Sequence, residues 1–180
     1  MVSSRMLHSR FEMPCGPHSI TIQPTTMFTK ITLWATVLLF TIHLGGHIFD
    51  KIAIIPNWNS GEIDDMQRNK AFFRKGHIRT FFGWMHLTCF LFSLVAMILL
   101  WGYESQASLY SKLAFGVNFA SSIWSIGYFV PMNKYFESQE YEAVKLQRLV
   151  KRWTMANHLR FVLLTVALGL AIAAFEVYTL

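Results

Sequence analysis

Charge is what this chain has least of. Lysine, arginine, aspartate and glutamate make up 14% of its 180 residues, against about a quarter in a soluble domain. That shortage excludes an ordinary water-soluble surface. Cysteine is nearly absent too, with only Cys15 and Cys89. Two cysteines so far apart, without a CxxC pair, exclude a disulfide framework and a thiolate metal cluster. Cys89 reads as a small packing residue inside an apolar run. No run alternates apolar and polar residues, which excludes membrane strands. No internal repeat is evident, which disfavours a secondary transporter built from inverted halves.

Long hydrophobic runs are what the chain has instead. Hydrophobic residues reach 53% and aromatic residues 16%. The runs are Ile31–Ile55, Thr80–Trp101, Leu109–Val130 and Phe161–Leu180. Each is close to the roughly 20 residues that cross ~30 Å of hydrocarbon as a helix. Backbone groups in lipid must be satisfied within their own segment, so helices are the expected solution. The expected fold is all-α, a four-transmembrane-helix antiparallel bundle. The first run is too long, too far from the start and too poorly followed to read as a cleavable signal. Residues 1–29, with Pro14, Pro17 and Pro24, read as a flexible or surface-lying tail, and 30–180 as the membrane domain. Residues 133–153 carry Val144, Leu149, Val150 and Trp153 among charges. They predict an amphipathic cytosolic helix that precedes the fourth span, continuing into it or lying in the interface. Pro56 predicts a helix stop after the first span, and Phe72 and Phe73 an interfacial contact.

Charge of one sign is concentrated on one side. Four crossings place the tail and the 102–108 turn together, with Arg5, Arg10, Lys30 and Lys112. The two long connections and adjoining helix ends hold Lys51, Arg68, Lys70, Arg74, Lys75, Arg79, Lys134, Lys145, Arg148, Lys151, Arg152 and Arg160. This asymmetry predicts cytosolic long loops and both termini outside or luminal. The basic residues form no recognition motif, so they predict attraction to anionic lipid and no nucleic-acid partner.

The polar residues inside the runs are the functional signal. In "TIHLGGHIFD", residues 41–50, His43, His47 and Asp50 share one helix face at spacings of four and three. Antiparallel threading brings the end of span one to the depth of His86 in span two. It also brings Tyr128 and Asn133 at the end of span three to Trp153, Asn157, His158 and Arg160 at the start of span four. Asn118, Ser121, Ser122 and Ser125 add a polar stripe on span three. Isolated charges are costly in lipid, so Asp50 and Arg160 are expected to pair. The expectation is one polar pocket opening toward the cytosolic face. Serines and asparagines in spans also serve as packing glue, and His158 fits an interfacial position equally well.

Two stretches resemble a known family. "YFVPMN" at 128–133 and "RWTMANHLR" at 152–160 are similar to the anthrone oxygenase-like family of small four-helix membrane proteins. The shared pattern is Pro-x-Asn after the third span, then Trp-x-x-x-Asn-x-x-Arg opening the fourth. Here these are Pro131, Asn133, Trp153, Asn157 and Arg160. "LGGHIFDKIAIIPNW" also resembles that family's first span. The similarity covers most of residues 30–180 and implies a four-helix bundle. For some fungal members it implies oxidation of anthrones to anthraquinones by molecular oxygen.

Three functions follow as expectations. A membrane oxidase or oxygenase would act on a hydrophobic, aromatic, anthrone-like substrate. Its catalytic groups would be His47, His86, Asp50, Arg160 and Asn157, and its substrate-binding groups Tyr128, Ser125, Asn118, Trp153 and Asn133. Taking a proton beside a carbonyl needs a base, which imidazole supplies. Holding the resulting enolate needs donors, which Arg160, Asn157 and Tyr128 supply. A second version uses His43, His47 and His86 as ligands of iron, copper or zinc, or a histidine pair as haem ligands. A third is a non-catalytic subunit or small-molecule binding protein, with a membrane-protein partner or a second copy of itself.

Overall fold

The computed structural model describes residues 26–57, 62–65, 67–68, 78–137 and 143–180. Every regular element among them is helical. Helix α1 spans Thr26–Phe49 and runs into a π-helical turn, Asp50–Ile54, and a 3-10 turn, Ile55–Asn57. Helix α2 is Ile78–Leu99 and α3 is Gln106–Trp124. A second π-helical turn, Ser125–Phe129, leads into α4, Val130–Glu137. Helix α5, Ala143–Thr179, is one unbroken run of 37 residues. Among the described residues, four helical segments are long and apolar enough to cross a membrane: Met27–Ile54, Thr80–Leu99, Gln106–Phe136 and Val144–Thr179. The chain is an all-α, multi-pass membrane protein of the four-helix-bundle class.

The helices close into a ring in which α1 touches α2 and α5, and α3 touches α2 and α5. The stripes that face inward explain this closure. In α5, Leu146, Val150, Trp153, Asn157, Arg160, Leu164, Ala167, Ala171 and Ala174 are all buried, at alternating spacings of four and three. In α1 the same alternation joins Leu33, Thr36, Phe40, His43, His47, Asp50 and Ile54. It recurs in α3 at Ala107, Ser111, Ala114, Asn118, Ser121 and Ser125, and in α2 at Cys89, Ser93, Ala96 and Leu100. A period of 3.5 keeps each stripe on its partner through a shallow left-handed crossing. Lipid tails offer no hydrophobic drive for helix association, so close backbone approach has to supply the packing energy. Alanine and serine at α3–α5 contacts, such as Ala114 with Ala167 and Ala171, allow it. Large apolar residues such as Trp34, Trp84, Ile98 and Ile126 point outward instead, as lipid-facing positions require.

The two π-helical turns share a design. Each opens on a buried polar residue, Asp50 or Ser125, whose carbonyl accepts from the N–H five residues on, Ile55 or Val130. Each is followed by a proline at the sixth position, Pro56 or Pro131. Proline donates no hydrogen bond, and its ring clashes with the carbonyl four residues back. The wide turn accommodates the clash without ending the helix abruptly. Pro56 sits in the 3-10 turn Ile55–Asn57, which replaces the wider helix there. After Pro131 helical structure continues to Glu137. Of the expected amphipathic segment, residues 133–137 belong to α4, and the stretch from Ala143 continues into the fourth span, as one of the expected arrangements has it. That stretch is the first part of α5, which at ~1.5 Å per residue is about 55 Å long and overshoots the hydrocarbon core.

Three apolar clusters stack along the bundle. One holds Leu33, Ala96, Leu100, Ala107 and Ala174. A central one holds Phe40, Cys89, Ala114, Leu164, Ala167 and Ala171. The third, where the long connections leave the bundle, holds Ile54, Ile55, Phe129, Phe136, Leu146, Val150, Trp153 and Ala156. His43, His47, Asp50, Asn157 and Arg160 lie between the second and third clusters, whereas Thr29, Thr32 and Thr36 of α1 lie toward the first. Helix α1 begins at Thr26, inside the expected tail, and residues 1–25, Phe72, Phe73 and His77 lie outside the described residues.

Candidate functional site

Three histidines form the centre of the polar layer. His43 and His47 are fully buried on the inner stripe of α1. The ring centroids of His43 and His47 are 4.9 Å apart, and those of His43 and His86 are 4.5 Å apart, edge to face. One ring nitrogen from each of the three lies within 4.8 Å of the others. The cluster has a built wall. Phe82 packs against His47 at 4.9 Å between centroids, and the Cys89 Sγ lies 3.7 Å from the His43 Nδ1. Gly46 lets α2 come this close, because a Cβ there would stand 2.9 Å from the Phe81 ring and 3.4 Å from Phe82.

A second polar group joins α1 to α5. The Asn157 Nδ2 donates to the Asp50 Oδ2 at 3.2 Å, and the Arg160 guanidinium donates to the Asn157 Oδ1 at 2.5 Å. Asp50 and Arg160 are electrostatic partners, as expected, but their hydrogen bonds run through Asn157 and not directly to each other. Asn157 stands between them, because its amide presents a donor to the carboxylate and an acceptor to the guanidinium. Among the described residues, the ion pair within contact distance is Arg68 with Asp65, outside the spans. The Arg160 guanidinium also lies over the Phe129 ring, 4.1 Å from its centroid. It is near enough for its charge to act on all three histidines.

The hydrogen-bond ledger distinguishes the two halves of the bundle. Toward the other end, buried hydroxyls are spent on nearby backbone. Thr36 donates to the Thr32 carbonyl at 2.8 Å, and Ser108 to the Leu100 carbonyl at 2.6 Å. In the polar half, the buried side-chain atoms that find no partner among the described residues are the His43 Nε2, both nitrogens of His47 and of His86, the Asn118 Oδ1, the Ser125 Oγ and the Arg160 Nε. Buried polar atoms are normally paired, so eight in one layer is a concentration that packing alone does not explain.

The remaining expected residues are placed as follows. Asn118 donates to the Ser93 Oγ at 3.2 Å, tying α3 to α2. The Trp153 indole donates to the Asn133 Oδ1 at 3.1 Å, so these two residues engage each other. Tyr128 is half-buried and stacks almost parallel on Trp124, 5.3 Å between centroids. His158 is exposed, away from the cluster. Between the polar layer and the expected mouth lies the apolar cluster around Ile54, Phe129 and Trp153. The His43 ring, as placed, lies too close to the His47 and His86 rings for a flat macrocycle to stand between either pair. Phe82, Cys89 and Ser93 are site neighbours that the sequence reading passed over. Their spacings of four, three and seven residues from His86, all on its helix face, were the available signal. No protein-family model, no curated protein and no solved structure matches this chain.

Proposed function

We propose that this chain is an integral membrane oxygenase that oxidises a hydrophobic aromatic compound of the anthrone kind with molecular oxygen. The observation that carries the reading is the set of partnerless imidazole nitrogens beside a buried guanidinium. His47 or His86 takes a proton from the methylene carbon next to the aromatic carbonyl system, and Arg160 holds the negative charge that develops on oxygen. The electron-rich carbanion then reacts with oxygen. The methylene becomes a carbonyl, and its two hydrogens leave with one oxygen atom as water. The surrounding apolar clusters keep bulk water from the intermediate. Asn157 acts as a positioning residue, since its amide is engaged by Asp50 and Arg160. Tyr128, Ser125, Asn118, Trp153 and Asn133 line or brace the approach. With an apolar cluster between the layer and the mouth, a hydrophobic substrate arrives from the bilayer between helices.

Oxygen uptake by the purified protein with an anthrone substrate tests the reaction. Wild type is expected to turn over, and the combined His47→Ala, His86→Ala and Arg160→Ala variant to lose activity by more than about 100-fold, the size of a general acid–base contribution. Equal rates in the folded variant would remove the assignment. The same proposal puts the lysine- and arginine-rich connections in the cytosol and both termini outside or luminal. In a Cys15→Ser background, a cysteine introduced as Glu140→Cys should resist an impermeant label on intact cells and react after permeabilisation. Labelling of intact cells would reverse the orientation.

A further inference from the structure

We infer that His43, His47 and His86 form a three-histidine site for a transition-metal ion, and that copper(I) is the ion it is built to hold. The inference uses the same cluster as the proposed function but does not depend on its reaction. The ligand set is near assembly. Bonds of about 2.0–2.1 Å from a metal to imidazole nitrogen set nitrogens about 3.3–3.6 Å apart, and the three nitrogens here lie within 4.8 Å of one another. Side-chain rotation of about an ångström closes that difference. Two ligands one turn apart on α1 and a third from the facing helix are a usual way for a bundle to hold a metal.

The surroundings select the ligand atom and the ion. The His43 Nδ1 faces the Cys89 sulfur, and its Nε2 has no partner. An Nδ1–H directed at Cys89 fixes the ring and leaves the Nε2 lone pair for the metal, as outer partners of metal-bound histidines do. The cluster contains no carboxylate, which disfavours magnesium and calcium. Three neutral imidazoles add no negative charge, and Arg160 places a positive charge nearby. The nearest anion, Asp50, is engaged by Asn157. The cost of burying an ion grows steeply with its charge, so a monovalent ion fits far better than a divalent one. Among imidazole-preferring metals, copper(I) meets both conditions.

The test uses the full chain in lipid nanodiscs, stripped of metal and titrated anaerobically with copper(I) from its bicinchoninate complex, with zinc(II) in parallel. Wild type is expected to take up one equivalent of copper(I) and to hold zinc at least about 100-fold more weakly. His47→Ala and His86→Ala should each weaken copper binding by more than about 100-fold, and Cys89→Ala by about 10–100-fold, the range for outer partners. His158→Ala should bind as wild type. Copper X-ray absorption on wild type, which needs no variant, should show three imidazoles at about 2.0 Å. Absence of stoichiometric copper(I) binding by folded wild type, a spectrum without imidazole ligands, or preference for zinc would each overturn the inference. Copper binding without oxygen uptake would remove the oxygenase reading alone. Oxygen uptake by a protein that binds no copper would remove the copper site alone.

Discussion

Asn157 is the residue on which the polar layer turns. It accepts from Arg160 and donates to Asp50, so two buried groups of opposite charge interact through one neutral amide. Hydrogen bonds to charged groups contribute about 1.5–3 kcal/mol each. Removing a partner of a buried charge also leaves that charge uncompensated. Asn157→Ala is therefore expected to lower stability by about 3 kcal/mol in reversible unfolding from mixed micelles. A double-mutant cycle separates the bridge from simple packing. Asp50→Asn and Arg160→Gln should be coupled by about 1–2 kcal/mol in the native background and clearly less with Asn157→Ala present. Undiminished coupling in that background would mean that the amide contributes nothing to the link. The residue scale is also where the sequence was least legible. Threading brings Asp50, Asn157 and Arg160 to one depth, but which of them touches depends on rotamers and on the rotation of α5. The contacts of Cys89 with His43 and Phe82 with His47 were hidden for the same reason.

At the scale of elements, the positions that face inward follow a 3.5-residue rhythm in all four spanning helices. That rhythm is present in the sequence, yet small and polar residues disguise it, because alanine, serine and asparagine do not stand out within an apolar run. Pro56 was legible as a break in the helix, since the chain tightens into a 3-10 turn around it. Pro131 was not, because the π-helical turn before it absorbs the steric clash and lets the helix continue. The glycine pair of α1 offers an internal comparison. A side chain at Gly45 meets nothing within 4 Å, whereas one at Gly46 meets Phe81 and Phe82. Gly46→Val is expected to cost about 1–3 kcal/mol as overpacking between α1 and α2. Gly45→Val should change stability by no more than about 0.5 kcal/mol. Equal effects at the two sites, measured by the same unfolding transition, would contradict the packing of α1 on α2 described here.

At the scale of the whole molecule, the division of labour is between an apolar frame and one polar layer. The four-helix architecture was legible from four hydrophobic runs, because a bilayer leaves the backbone few other solutions. The location of the layer was legible too, since antiparallel threading fixes depth. The apolar cluster of Ile54, Phe129 and Trp153 beside it was not, because apolar residues near a helix end read equally well as lipid-facing. All the proposals above depend on three imidazoles meeting inside that frame in a lipid environment. Solid-state NMR of protein in bilayers, with carbon-13 and nitrogen-15 confined to its 7 histidines, tests this directly. Ring-to-ring cross-peaks should link His43 with both His47 and His86, vanish selectively in His86→Ala for the α2 contact, and leave His158 isolated. Three histidine rings with no mutual cross-peaks in the folded protein would contradict the account at its root.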